Sequence, residues 1–507
     1  MRKLLLLCCL ALAALPATVS CGKGGEQPGG DETVLTVKVE HDYFSLTVGD
    51  KVTVRAKAEP ASADLPALTW TSRDPRVATV SDGTIEAVGP GETTIVVSCR
   101  QASAQIAVIV KEKEKPGDEG GGGTEPDDLE GPATLFNATP DRKHIFSDFL
   151  LNGIAQYTDA GLLVSSPAGM VRLNRFYALA QRRVRYRISA EKDAVCLFQS
   201  SEKDITVRLD YRNKKLSILT SPETSVDVPF LLEDKDFDVE VVHDYQKATA
   251  RLVDAEKKDS AEVSAVNDGG GGYGQGVVND RPFSVGLGHD YFCFGIDRGA
   301  MTVKRVTVEA PRRAVRLLIY GDSITEPEGY YPTSLFPQAW TQLIIKELDG
   351  NAISSGRGGY TINEVQNYIR NELPFIKAKY VMVTIGTNGG NTEQNLRELM
   401  QFIRNRGAIP ILNNIPSNES GTQVSVNEVI DRVRRAMELQ GARFDLATSL
   451  AGDGREVDKS MMFWENYPPE IYGGWQVWHH PNEKGSKAMF EQALKDLPEL
   501  FESAGND

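Results

Sequence analysis

Residues 316–325 read Arg-Leu-Leu-Ile-Tyr-Gly-Asp-Ser-Ile-Thr. A short apolar run closed by glycine reads as a buried strand that enters a tight turn. From this point apolar runs alternate with amphipathic segments. Strands are expected at 316–320, 351–355, 380–385 and 409–415, and a strand or turn near 443–446. Helices are expected near 335–348, 361–373, 392–406, 424–440 and 483–497. Alternation of short apolar strands with helices implies a parallel sheet covered on both faces. In such sheets ligands bind at the carboxyl ends of the strands.

Four polar features fall at those ends. Gly321-Asp322-Ser323 follows the first strand, where a tight turn can lift a serine hydroxyl into a cleft. Alone it is a weak signal, because Asp-Ser after a strand is commonly only a helix cap. Ser354-Ser355-Gly356-Arg357-Gly358-Gly359 follows the second strand, where backbone N–H groups can approach a ligand closely. Gly386-Thr387-Asn388 follows the third and brings a side-chain amide to the same edge. His479-His480-Pro481-Asn482 precedes the last helix and holds the only histidines after His289. No cysteine–histidine spacing suggests a metal site.

In this order the four blocks resemble the SGNH (GDSL-like) hydrolases, across essentially residues 313–500. The resemblance implies a flavodoxin-like α/β/α fold and ester hydrolysis without metal or organic cofactor. It places the nucleophile on Ser323, the base on His480, and the oxyanion donors on Ser323, Gly356 and Asn388. Pro481 directly after His480 matches the family pattern and selects His480 over His479. Two positions depart from it. The family carries aspartate three residues before its histidine, and here that position is Val477 (Gln476 counting from His479). A backbone carbonyl near Trp478 in a Ser-His dyad, Glu465 or Glu470 from the preceding segment, or Asp458 could orient the imidazole instead; the dyad or Glu465 is favoured. The segment 463–478, FWENYPPEIYGGWQVW, reads as an insertion that displaced the acid. The second departure is Gly389, where the family often has aspartate.

Upstream the pattern changes to all-β. Residues 33–112 carry short strands near 34–39, 51–58, 68–72, 93–98 and 105–110, the spacing of an antiparallel sandwich. Leu46-Thr47-Val48-Gly49, Leu68-Thr69-Trp70-Thr71-Ser72, Val77-Ala78-Thr79-Val80 and Gly89-Pro90-Gly91-Glu92-Thr93-Thr94-Ile95 resemble the bacterial Ig-like group 2 family, with Trp70 as the core tryptophan. That resemblance implies a spacer or adhesion module. Residues 113–131, rich in Gly, Pro and acid, form a linker. Residues 132–312 read as a larger sandwich of jelly-roll or laminin-G/concanavalin type. Strands are expected at 171–176, 183–189, 195–199, 205–211, 216–219, 237–243, 248–253, 283–287 and 301–308, with a glycine-rich loop at 268–276. The fold class is thus two all-β sandwiches followed by an α/β/α domain at 313–507.

The N-terminus sets the compartment. Arg2 and Lys3 precede an apolar run at 4–15, and Thr18-Val19-Ser20-Cys21 resembles a lipobox. Residues 1–20 then form a lipoprotein signal peptide, Cys21 is lipidated, and 21–32 is a tether. The chain is expected in a bacterial cell envelope, on the outer membrane or cell surface, touching the membrane only through this anchor. Of six cysteines, Cys8 and Cys9 leave with the signal. Cys99, Cys196 and Cys293 remain, either as buried thiols or with a Cys196–Cys293 disulfide. A net charge of −14 argues against nucleic acid as a partner. The expected activity is removal of acetyl or another small acyl group from a carbohydrate. The alternatives are an esterase of lipids or small esters, and a glycan-binding or adhesive lipoprotein whose C-terminal domain is inert. Oligomeric state is left open.

Overall fold

The computed structural model describes residues 36–39, 43–59, 66–100, 102–111, 131–141, 148–199, 206–219, 223–256, 258–266, 291–326, 331, 334–466 and 476–502. The chain divides into two compact units, residues 1–122 and 123–507. Cys21 with the rest of the signal and tether, linker residues 113–130, the loop at 268–276 and the strand expected at 283–287 lie outside the described residues.

In the first unit Tyr43–Thr47 runs parallel to Ala102–Lys111, which pairs antiparallel with Gly91–Cys99, and that strand with Thr69–Ser72. Lys51–Thr53 and Ala78–Ser81 flank Thr84–Ala87 in a second, three-stranded sheet. Val54, Ile85, Ile95, Val97, Ile106 and Val108 are buried together, and Trp70 packs against them. The single strand expected at 51–58 is two. Lys51–Thr53 joins that second sheet, while Ala56–Glu59 pairs with Thr36–Val39. The break falls at Val54, whose N–H donates to the Gly83 carbonyl at 2.8 Å. A side chain at Gly83, where φ is +80°, would strike the Val54 carbonyl oxygen.

In the second unit, thirteen strands among the described residues of 133–310 form one antiparallel sheet. It curls so that Lys215–Ile218 and Thr224–Asp227 lie against Ser260–Val266. Gln181–Ala190 shows why these residues make a sheet. Val184, Tyr186, Ile188 and Ala190 point to the core, while Arg183, Arg185 and Arg187 point out and pair with Glu309, Glu240 and Asp238. Several strands exceed the sequence expectation. Gly161–Phe176 is one long strand of which only 171–176 shows clear patterning. Its partner Phe149–Thr158 has its alternation broken by a register shift between Asn152 and Ile154. A bulge of this kind moves apolar residues out of phase and hides a strand from periodicity. Cys196 pairs with Ile296, and Cys293 with Gln199, three positions apart along the ladder. The two buried thiols form no disulfide.

The remaining residues build a parallel sheet of four strands, β1 (Ala314–Gly321), β2 (Ala352–Gly356), β3 (Lys377–Thr384) and β4 (Ile409–Leu412), in the order β2-β1-β3-β4. Residues 440–443 run parallel beside β4 through bridges Ile411–Gln440 and Asn414–Arg443. The strand or turn expected at 443–446 is instead the start of a short helix, Phe444–Thr448. Helices α1 (Trp340–Glu347), α2 (Ile362–Glu372), α3 (Glu393–Asn405), α4 (Gln423–Met437) and the later α5 (Glu483–Asp496) cover the sheet. Leu317 and Ile319 of β1 pack with Trp340, Met489 and Ala493. Leu318 and Tyr320 pack with Val365, Leu396 and Ile430 on the opposite face. Burial on both faces is why the strand reads as an unbroken apolar run. Gly321 is in register with Gly356 on one side and Thr384 on the other. The loops after β1, β2 and β3 therefore leave one edge of the sheet together.

Candidate active site

Glycine at 321 is dictated by crowding. A Cβ there would lie 2.1 Å from Thr325 Oγ1 and 2.4 Å from the Thr384 carbonyl oxygen. The chain then turns tightly. The Asp322 carbonyl accepts from the N–H groups of Thr325 and Glu326, both at 3.0 Å. Its side-chain Oδ1 accepts from Ile324 N–H at 3.0 Å. This turn projects Ser323, which is 5% exposed.

The second loop is pressed against the first. A Cβ on Gly356 would approach Thr325 Cβ to 2.7 Å and Glu326 N to 2.9 Å. The glycine is thus required by loop-to-loop packing. The clasp is reinforced by Glu326, whose carboxylate accepts from Arg357 Nη1 at 2.8 Å and from Gly358 N–H. Both side chains are nearly out of water. A buried ion pair of this sort holds geometry because removing one partner is costly. Asn388 projects from the third loop and is exposed, its Nδ2 donating to the Tyr360 carbonyl at 2.9 Å. The departure at Gly389 has a conformational reason, a φ of +82° that strains other residues.

His480 arrives from a chain position 157 residues away, and its Nε2 lies 2.8 Å from Ser323 Oγ. It is 5% exposed. His479, the sequence rival, packs its ring 4.1 Å from that of His480, and no hydrogen bond between it and Ser323 is seen among the described residues. Backbone ties fix the His480 segment. The His480 carbonyl accepts from Phe463 N–H at 2.9 Å. Tyr331 donates its hydroxyl to the Pro481 carbonyl at 2.8 Å. Asn482 caps α5 through Gly485 N–H and donates Nδ2 to the carbonyls of Ser460 and Met462. The Pro-Asn pair is thus a mechanical anchor for the imidazole.

Of the proposed orienting acids, Asp458 is engaged elsewhere. It accepts from Ser460 N–H at 2.9 Å and Oγ at 2.6 Å and pairs with Lys484 at 3.6 Å. Glu465 has its backbone in a ladder opposite Val477, but its side chain lies outside the described residues, as does all of Glu470. Val477 is buried in that ladder, so the family's acidic position holds a packing residue.

Electrostatics separate the two groups flanking Ser323. Burial lowers the His480 pKa to about 3, which keeps the imidazole neutral. Burial raises Asp322 to about 7, against the opposing pull of Ile324 N–H and of the Thr387 hydroxyl and amide. Among the described residues no group of three or more His, Cys, Asp or Glu could hold a metal ion. Sequence reading missed Glu326, Arg357 and Tyr331. Arg357 was visible within Ser-Gly-Arg-Gly-Gly, but nothing local announces a partner on another loop.

Residues 33–110 match the family model of the bacterial Ig-like domain (group 2). No curated protein matches the chain. Among solved structures, a GDSL-like lipase from Bacteroides thetaiotaomicron is similar at 14% identity and TM-score 0.27, covering 37% of this chain and 88% of the other. The exoplasmic/lumenal domain of VIP36 in its Ca2+-bound form is similar at 8% identity and TM-score 0.27, with coverages of 35% and 96%. Arcelin-5, a lectin-like defense protein from Phaseolus vulgaris, follows at 12%, TM-score 0.26, and 36% and 100%. Likenesses of this size establish nothing about chemistry, which has to be read from Ser323, His480 and their surroundings.

Proposed function

We propose that the chain is a cell-envelope serine esterase of SGNH type that removes acetyl or another small acyl group from a carbohydrate. The observation that carries this reading is the buried 2.8 Å contact between Ser323 Oγ and His480 Nε2. A serine hydroxyl becomes a competent nucleophile when a neutral imidazole takes its proton during attack. Oγ bonds to the acyl carbon, the proton passes to Nε2, and the imidazolium then protonates the departing sugar oxygen. Water repeats the sequence on the acyl-enzyme and regenerates Ser323. The oxyanion would be met by the N–H groups of Ser323 and Gly356 and by Asn388, each worth about 3 kcal/mol when well placed. The bond to Tyr360 fixes the plane of the Asn388 amide and leaves its second N–H for that task.

The carbohydrate assignment is supported by the aromatic residues on either side of the short ladder Glu465–Asn466/Gln476–Val477 that precedes His480. Trp464 is 56% exposed beside Phe463, which bonds the His480 backbone. Trp478 carries the Lys459 ammonium over its ring at 4.2 Å. An exposed indole such as that of Trp464 offers a flat apolar face with a polar edge, on which a sugar ring can stack. A lipid anchor on Cys21 would place this activity at the envelope surface. The test is acetate release from acetylated glycans by the wild type and by Ser323→Ala. Release by wild type alone supports the reading, and equal release by both sinks it.

A further inference from the structure

We infer, on the basis of that reading, that the β-sandwich at 133–310 is a positioning frame for the active site, acting through two buried arms anchored on Glu372 and Gln246. The sheet that carries the site ends at β2, an edge strand whose last residue is Gly356. Bare edges expose unpaired backbone groups and are normally covered. Here the cover is the turn between the sandwich strands Gly161–Phe176 and Gln181–Ala190. Leu179 forms an antiparallel bridge with Ser355, and Ala180 N–H donates to the Ser354 carbonyl at 2.9 Å.

Glu372, the last residue of α2, is 0% exposed. Its Oε1 accepts from the N–H groups of Ala178 and Leu179 at 2.5 and 3.2 Å. Its Oε2 accepts from Ser355 Oγ at 2.8 Å. One buried carboxylate thus ties the sandwich to the residue that precedes Gly356. A carboxylate placed there must be fully bonded, because an unpaired buried charge is far too costly to keep.

The second arm starts from the neighbouring sandwich turn. Tyr245 N–H donates to the Ala180 carbonyl at 3.0 Å, which joins the two turns. Gln246 Nε2 donates to the Tyr331 carbonyl at 2.8 Å. The Tyr331 hydroxyl in turn bonds the Pro481 carbonyl and contacts Ser486 Oγ. The sandwich therefore grips the oxyanion loop with one turn and the residue after His480 with the next. Its core is also continuous with one face of the catalytic sheet, since Tyr177 and Tyr186 share a buried cluster with Leu318, Tyr320 and Ile353.

Positioning residues should change turnover without changing substrate binding, because the donors and the base matter most in the transition state. The test uses full-length Glu372→Ala, Glu372→Gln, Ser355→Ala and Tyr331→Phe. With p-nitrophenyl acetate, Glu372→Ala is expected to lower kcat by about tenfold or more with KM little changed, since small displacements of reacting groups are amplified in rate. Glu372→Gln, which keeps an acceptor for the amides, should recover most of it. Ser355→Ala and Tyr331→Phe each sever one arm and should each lower kcat. If Glu372→Ala fails to fold, these two decide. Wild-type kcat in both overturns the inference. Amide exchange gives a readout that needs no turnover. Glu372→Ala should speed exchange in peptides covering 352–360, and Tyr331→Phe in those covering 476–483. Unchanged exchange there overturns the frame even if hydrolysis stands. Absent hydrolysis in the wild type with the exchange effects present overturns only the esterase reading.

Discussion

Asp322 and His480 flank Ser323 with pKa values displaced in opposite senses, and their effects on stability should oppose each other. Burial lowers His480 from 6.5 to about 3. The unfolded chain therefore binds the extra proton between those values. The contribution is present above pH 6.5 and is lost as pH falls through that window, at about 1.4 kcal/mol per unit. Burial raises Asp322 from 3.8 to about 7. Here the native state holds the extra proton, so the contribution is present below 3.8 and is lost as pH rises toward 7, at the same slope of about 1.4 kcal/mol per unit. Between roughly pH 4 and 6.5 the two slopes cancel. Asp322→Asn abolishes one of them. Its stability relative to wild type should rise with pH by about 1.4 kcal/mol per unit, or on the order of 4 kcal/mol over the whole window. His480→Asn should show the reverse, a relative stability that rises as pH falls. Urea denaturation followed by tryptophan fluorescence at a series of pH values measures both differences. Parallel, pH-independent offsets in the two variants would refute the reasoning, because they would mean that neither group is held away from water.

Under the proposed mechanism the same displacement of His480 should set the acid limb of activity. For p-nitrophenyl acetate, kcat/KM should hold down to below pH 5, and a midpoint between 6 and 7 would contradict a buried imidazole. Asn388→Ala should lower kcat by about 10²-fold or more with little change in KM, the loss typical of one oxyanion donor; an unchanged kcat removes Asn388 from the site. Glu326→Ala and Arg357→Ala should each destabilise by about 3–5 kcal/mol because each removes one partner of a buried ion pair. The double variant should cost clearly less than their sum in chemical denaturation, and additivity would show that the pair is not coupled.

The three-layer C-terminal part was legible because β1 buries both faces, so Leu317 to Tyr320 reads as an unbroken apolar run ending at a glycine that nothing larger could replace. Ser323 and His480, which the structure brings within 2.8 Å of each other, were legible because each stands beside a strand end or a helix start, where polar residues stand out against apolar neighbours. The reason for Gly356 was not. Sequence suggested room for a substrate, whereas the structure gives contact with Thr325. Glu326–Arg357 and the Glu372 and Gln246 arms were invisible, since each joins residues far apart in sequence and neither partner breaks its local pattern. Glu372 reads as an ordinary helix-end acid until Ala178 and Leu179 are seen to lie on it. The strand Phe149–Thr158 escaped notice for a different reason, its bulge at Asn152–Ile154 putting its apolar residues out of step.

The central claim is that Ser323 is a nucleophile activated by His480. Incubation of the full chain with a fluorophosphonate ester, followed by peptide mass spectrometry, tests it directly. Phosphonylation at Ser323 in the wild type, strongly slowed in His480→Ala and absent in Ser323→Ala, is the expected result. An unmodified Ser323, or labelling at the same rate without His480, would contradict the account.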